Sequence, residues 1–155
     1  MNLFEEDYFR WKRYTDKAQF DYPIDYSGTV LSAQEDGHVD VLYRWAPNSA
    51  CHLHRHTAEL SSLVLEGELH VIDIDPETGK ETGRLVKKAG HYAHKPAGDV
   101  HIEVGGPEGA LVMFSIYAPD GVLTEGLSRK GEVKSESTVE QILSSLRRRE
   151  TSNNS

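Results

Sequence analysis

The sequence predicts an all-β domain, a barrel or sandwich with an aromatic arm before it and a helix after it. Three observations carry that reading. Between residues 28 and 118, short apolar or alternating runs follow one another, separated by Gly, Pro and Asp turn signals. No long helical pattern interrupts that interval. The most apolar run, residues 110–118 (ALVMFSIYA), has the length of a core strand and falls far short of the roughly 20 residues a membrane span needs. With 155 residues the chain suffices for one domain with its own core. We divide it into an arm at 1–26, a barrel at 27–119, and a crossing segment with a helix at 120–155.

The arm sets Phe4, Tyr8, Phe9, Trp11, Tyr14, Phe20, Tyr22 and Tyr26 among acidic residues. That is too aromatic for a disordered tail, so it is expected to pack on the body or on a partner subunit. Pro23 and Gly28 mark its end. Strands are then expected at 28–33 (GTVLSA) and, after a QEDG turn, at 38–45 (HVDVLYRW), where Val39, Val41 and Tyr43 share a face. Residues 63–66 meet Gly67, and 68–73 (ELHVID) resume the alternation with Leu69 and Val71 on one side and His70 on the other. The DPETG turn at 75–79 leads into a polar strand at 80–89. Short strands at 91–95 and 101–104 follow, closed by Pro96-Ala97-Gly98 and by Gly105-Gly106-Pro107. Residues 120–134 carry three glycines and read as a surface crossing. In the final helix, Ser137 and Glu140 form an S-x-x-E capping box. Val139, Ile142, Leu143 and Leu146 make its apolar stripe. Arg147, Arg148 and Arg149 suit the negative end of its dipole, and residues 151–155 are expected to fray.

A formal net charge of −8 argues against a nucleic-acid backbone or an anionic membrane as partner. The single cysteine, Cys51, excludes an intramolecular disulfide. With no secretory pattern in MNLFEEDYFRWKRY, a cytoplasmic setting is expected. Cys51 itself reads as a buried, inert thiol in preference to a soft metal ligand.

Residues 46–67 (APNSACHLHRHTAELSSLVLEG) concentrate the chemistry. His52, His54 and His56 occupy alternate positions, so on a strand their imidazoles point the same way. Such a cluster suits a divalent transition metal, although alternating histidines can also decorate a solvent-facing strand. Downstream, Gly90, Pro96, Gly98 and His101 spell G-x5-P-x-G-x2-H. The Pro–Gly turn would return His101 from another strand towards the first histidines.

These two segments resemble the paired motifs of the cupin superfamily, G-x5-H-x-H-x(3,4)-E-x6-G and G-x5-P-x-G-x2-H-x3-N, with Gly105 in place of the final Asn. The resemblance implies a small β-barrel holding a metal between the motifs. The first motif admits two registers. With His52 and His54 as the pair, Glu59 takes the acid position but Glu66 occupies the closing glycine position. With His54 and His56 as the pair, Gly67 falls correctly, Asn48 stands at a glycine-like position, and Leu60 displaces the acid. We take the second register, because it satisfies landmarks on both sides. Glu59 then points away unless a bulge turns it back, and it stays a possible additional ligand.

The predicted metal ligands are therefore His54, His56 and His101, without a carboxylate. His52, Tyr92 and His94 are candidates for a supporting role around them; Tyr92 and His94 either line the pocket or simply pack. His38 and His91 read as solvent-exposed. A site with neutral ligands only would attract an anionic, bidentate oxygen ligand. Within the cupins, HRHTAELSSLVLEGELHV, GHYAHKPAGDVH and APDGVLTEG are similar to the 2,4'-dihydroxyacetophenone dioxygenase-like branch. That likeness implies a non-haem Fe(II) dioxygenase cleaving a C–C bond beside the carbonyl of a small hydroxy-ketone or diketone. Zn(II), Ni(II) or Mn(II) would suit the same ligands. Two other readings stay open: a non-oxidative isomerase, cyclase or lyase with a Lewis-acid metal, and a zinc-bound sensor without turnover. The resemblance also implies a homodimer acting on a small-molecule substrate.

Overall fold

A computed structural model describes residues 9–153. Phe4 and Tyr8 of the expected arm, and residues 154 and 155 of the expected frayed end, lie outside the described residues. The described part of the arm belongs to the sheet. Strand β1 (Lys12–Gln19) and strand β2 (Tyr22–Ala33) form a hairpin through Phe20 and Asp21, both at positive φ (51° and 69°). Two consecutive left-handed residues give the turn whose twist matches an antiparallel pair. Pro23 does not stop β2, because the register slips there, between Asp16 and Gln19, and proline is tolerated at a bulge.

Strand β3 (His38–Trp45) pairs with β2 on one side. On its other side it meets the longest strand of the fold, which runs Val100–Tyr117. Before that strand come β4 (His54–His56), β5 (Glu59–Ile74), β6 (Glu81–Lys88) and β7 (Tyr92–Lys95), so the long strand is β8. β5 follows β8 from Glu59↔Tyr117 to Asp73↔His101, and carries β6 and β7 on its other edge. β5 and β8 were each expected as two strands. The glycines that suggested breaks are bulges that bend continuous strands: the register shifts at Val64/Glu66 and Gly67/Leu69.

The presumed surface crossing is a hairpin, β9 (Val122–Leu127) and β10 (Val133–Thr138), with Gly131 at positive φ in its turn. The sheet order is β1-β2-β3-β8-β4-β9-β10, curled on itself. Helix α1 (Val139–Asn153) closes the chain. Its capping box lies one residue later than expected. Thr138 Oγ1 accepts from the Gln141 N–H at 3.2 Å, and Gln141 Oε1 accepts from the Thr138 N–H at 3.1 Å. Val139 is buried, and Ile142 and Leu143 pack against the core. The helix continues past the arginines, so they do not occupy its last turn; Arg147 instead approaches Glu35 at 3.8 Å. Among the described residues no helix is long and apolar enough to cross a membrane.

Two apolar clusters fall on opposite faces of the curled sheet. Val39, Val41, Trp45, Leu69, Val112 and Phe114 belong to one; Ile24, Leu53, Ile72, Ile102, Val104 and Leu127 belong to the other. This division positions the chemistry. Ile102 and Val104 are sunk in the second cluster, so the strand alternation turns His101 and Glu103 towards the first.

Candidate metal centre

β4 pairs with β8 so that His54 stands opposite His101, and with β9 so that His54 also faces Gly126. Each strand then repeats its donor after two residues, His54 and His56 on β4, His101 and Glu103 on β8. Four donors meet as a result. His54 Nε2 lies 3.2 Å from His56 Nε2, which lies 3.1 Å from His101 Nε2. Glu103 Oε1 is 3.3 Å from His54 Nε2 and 3.5 Å from His101 Nε2. All four donor atoms fall within 4.8 Å of one another. His56, His101 and Glu103 are buried and His54 is partly so.

The hydrogen bonding behind the cluster fixes what it can do. His54 Nδ1 sits 2.8 Å from the His52 carbonyl, which can only accept, so Nδ1 carries the proton and a neutral His54 presents a lone pair at Nε2. His56 Nε2 faces two other imidazole nitrogens, and one ring hydrogen can satisfy only one of them. His56 Nδ1 is buried without a partner. Four electron-rich atoms aimed at one point, with too few protons to pair them, fit a cation. Three nitrogens and one carboxylate oxygen suit a first-row divalent metal.

The electrostatics agree. Burial alone would raise the Glu103 carboxyl, but His101 and His54 outweigh it and hold it well below the usual carboxylate range. Burial alone would lower His54, but Cys51 and Glu103 lift it well above the ordinary imidazole value. His56 is pushed well below that value, first by burial and then by His54 and His101. Cys51 and Glu103 thus favour a second proton on His54, which a metal taking Nε2 must displace. Affinity is expected to rise with pH until that proton is lost, with about one proton released per metal near neutral pH. Calorimetric titration in buffers of different ionisation enthalpy measures this directly; metal uptake without proton release would contradict it.

Cys51 is buried beside the cluster and is not one of its donors. Its sulfur accepts from the Glu103 N–H at 3.3 Å and lies 3.8 Å from His54 Nδ1. In front of the cluster opens a cavity of about 720 Å³. His54, His56 and Glu103 border it, together with Tyr43, Trp45 and Phe114. β9, β10 and α1 also contribute to its lining, through residues such as Leu123, Ser135 and Ile142.

The remaining sequence candidates fall elsewhere. His52 stands at the cavity border, where the Tyr26 hydroxyl donates to Nδ1 and Nε2 donates to Asp16, each at 3.0 Å. Glu59 does not join the donors. It lies half-exposed on the outer face of β5, 3.3 Å from His94 Nε2, while its neighbour Leu60 faces the core. Tyr92 and His94 share that outer face, with the Tyr92 hydroxyl donating to Ser61 Oγ at 3.1 Å and Ser61 paired with His94 at 2.8 Å. Tyr92 is 64% exposed, so neither residue lines the cavity. His70 pairs with Glu68, and His38 pairs with Asp36 and stacks on Tyr117.

The expectation of a carboxylate-free centre is corrected by Glu103. The acid comes from the second strand, not the first. A signal for it exists in the sequence: His101-Ile102-Glu103 repeats the period of two that makes His54-Arg55-His56 visible.

A family model described as the ChrR cupin-like domain matches residues 25–119. No curated protein matches the chain. Among solved structures, a candidate acetylacetone dioxygenase from Methylibium petroleiphilum is 14% identical, with 91% of this chain and 90% of that one covered at a TM-score of 0.66. An acetylacetone dioxygenase from Acinetobacter johnsonii is 12% identical, with 84% and 83% covered at 0.63. An RmlC-like cupin protein from Ralstonia eutropha is 12% identical, with 90% and 80% covered at 0.66. At such identities the likeness is one of fold.

Proposed function

Because the chain belongs to the ChrR cupin-like domain family, we propose that it is a metal-dependent cupin enzyme, a non-haem Fe(II) dioxygenase cleaving a C–C bond beside a carbonyl. The observation that carries the proposal is the convergence of His54, His56, His101 and Glu103, three of which border a cavity large enough for an organic ligand. A bound Fe(II) supplies a Lewis acid and a source of electrons for dioxygen chemistry. The chain supplies the rest. Four protein donors leave an octahedral ion two positions for a bidentate oxygen ligand or a smaller co-substrate. Glu103 lowers the net charge of the centre from that of a three-histidine site, so a singly anionic ligand would neutralise it. Trp45 and Phe114 provide apolar surface that displaces water from the ligand. Two proteins of similar fold are described as acetylacetone dioxygenases, one of them only as a candidate, which supports the diketone member of a hydroxy-ketone or diketone substrate class.

A second reading has its own support. Three histidines and a carboxylate would also suit Zn(II), whose coordination can expand beyond four, so that it would serve as a Lewis acid, or as a sensor without turnover. One experiment separates the two. Protein reconstituted anaerobically with Fe(II) is offered hydroxy-ketones and β-diketones, and oxygen uptake is followed on admission of air. Uptake with C–C cleavage products is expected. Iron-loaded protein that consumes no oxygen across the panel would overturn the dioxygenase reading, and turnover in strictly anaerobic buffer would replace it with Lewis-acid chemistry.

A further inference from the structure

We propose that Tyr43 is a ligand-binding residue whose hydroxyl donates a hydrogen bond to an oxygen of the anionic ligand held at the centre; the proposal rests on the metal-centred reading above. Tyr43 lies on β3 opposite Gly28 of β2, and its ring occupies the space above that glycine. A Cβ on Gly28 would stand 2.6 Å from the ring, so no larger residue there would leave the ring in place. Three further rings confine it, Tyr26 at 6.2 Å, Trp45 at 6.0 Å and Phe114 at 5.8 Å between centroids. The ring is thus placed by packing, not by its hydroxyl.

Its hydroxyl takes part in no hydrogen bond among the described residues, whereas the neighbouring Tyr26 hydroxyl is engaged by His52. Tyr43 borders the same cavity as His54, His56 and Glu103. The indole nitrogen of Trp45 also lacks a partner, but it is sealed in the packing. Tyr43 is only partly buried and borders the cavity, so its hydroxyl is open to an acceptor that arrives with a ligand and takes the place of water. Burial, then the nearby Tyr14, Cys51 and Glu103, push the ionisation of the phenol far up, so it stays an O–H donor across the working pH range. A donor on the wall of the cavity that the centre borders would grip an oxygen that carries partial negative charge, and would set the orientation of the ligand that bears it.

The test uses the full chain loaded with Zn(II), which permits binding without turnover, and benzoylacetonate as probe, titrated by its ultraviolet absorbance. Tyr43→Phe is expected to weaken probe binding about tenfold, the effect of one hydrogen bond to a charged acceptor. Zn(II) affinity and the Tm should be unchanged, because the ring is held by packing and the hydroxyl bonds no other described residue. Probe affinity within twofold of the parent would overturn the assignment of Tyr43 and leave the metal-centred reading standing. A lowered Tm with parallel loss of Zn(II) would overturn it in favour of a structural role. A Zn(II)-loaded parent that binds no probe would overturn the chelating-ligand reading itself, and the Tyr43 proposal with it.

Discussion

Replacing Glu103 with Gln is expected to lower affinity for a divalent metal by about 100-fold or more, while Glu59→Gln leaves it within twofold. Glu103 is buried and its carboxylate stands within 3.5 Å of two histidine Nε2 atoms. Removing its charge takes an anionic donor from a site with low local dielectric; changing partners that only orient ligands already costs 10–100-fold in metal sites. Glu59 is half-exposed, and its contact with His94 is a surface pair worth about 1 kcal/mol or less. Metal titration against a competing chelator decides the matter. An unaltered affinity in Glu103→Gln would return the centre to three neutral ligands, and a large loss in Glu59→Gln would show that the acid comes from the first strand after all.

Gly67→Ala is expected to destabilise the protein by about 3 kcal/mol. Gly67 sits at φ 69°, where an L side chain costs about 1–2 kcal/mol. A Cβ there would also run into the Gly109 carbonyl, and Gly109 is itself held at positive φ against the Trp45 carbonyl. Neither backbone can yield without disturbing the bend that lets β5 and β8 stay paired on both sides of it. Gly90→Ala provides the comparison. It has φ 92° with nothing within 4 Å of the added atom, so only the backbone cost of about 1–2 kcal/mol applies. Denaturant midpoints of both variants measure the difference. Equal losses would show that the close approach at Gly67 contributes nothing beyond its dihedral angle.

Both variants bear on how the two long strands were read from sequence. Glycine in a strand signals either an end or a bulge, and the two are locally indistinguishable. Gly67 and Gly105-Gly106 looked like ends. They became bulges because continuous pairing between β5 and β8 satisfies backbone groups on both sides of the bend. The N-terminal hairpin escaped notice for a related reason. β1 is largely exposed, so its sequence carries little alternation of apolar residues, and only pairing with β2 reveals it. The cap of α1 slipped by one residue because Ser137–Glu140 and Thr138–Gln141 both satisfy the same local rule.

What the sequence determined by itself was everything governed by local period. Alternation of two set β3 and the 68–73 part of β5 as strands and placed His54 and His56 on one side; an apolar run set the 110–117 part of β8, and a Pro–Gly turn delivered His101. Asn48 adopts the left-handed conformation expected where it stands in for glycine. What only the tertiary structure decided was which acid accompanies those histidines. Glu59 follows His56 and Glu103 follows His101 at similarly short spacing, yet register across β4, β8 and β5 turns the first outward and the second inward. Local period says which residues share a face of their own strand. It carries no information about which face of another strand that face will meet, because pairing register is fixed by the burial of residues distant in sequence.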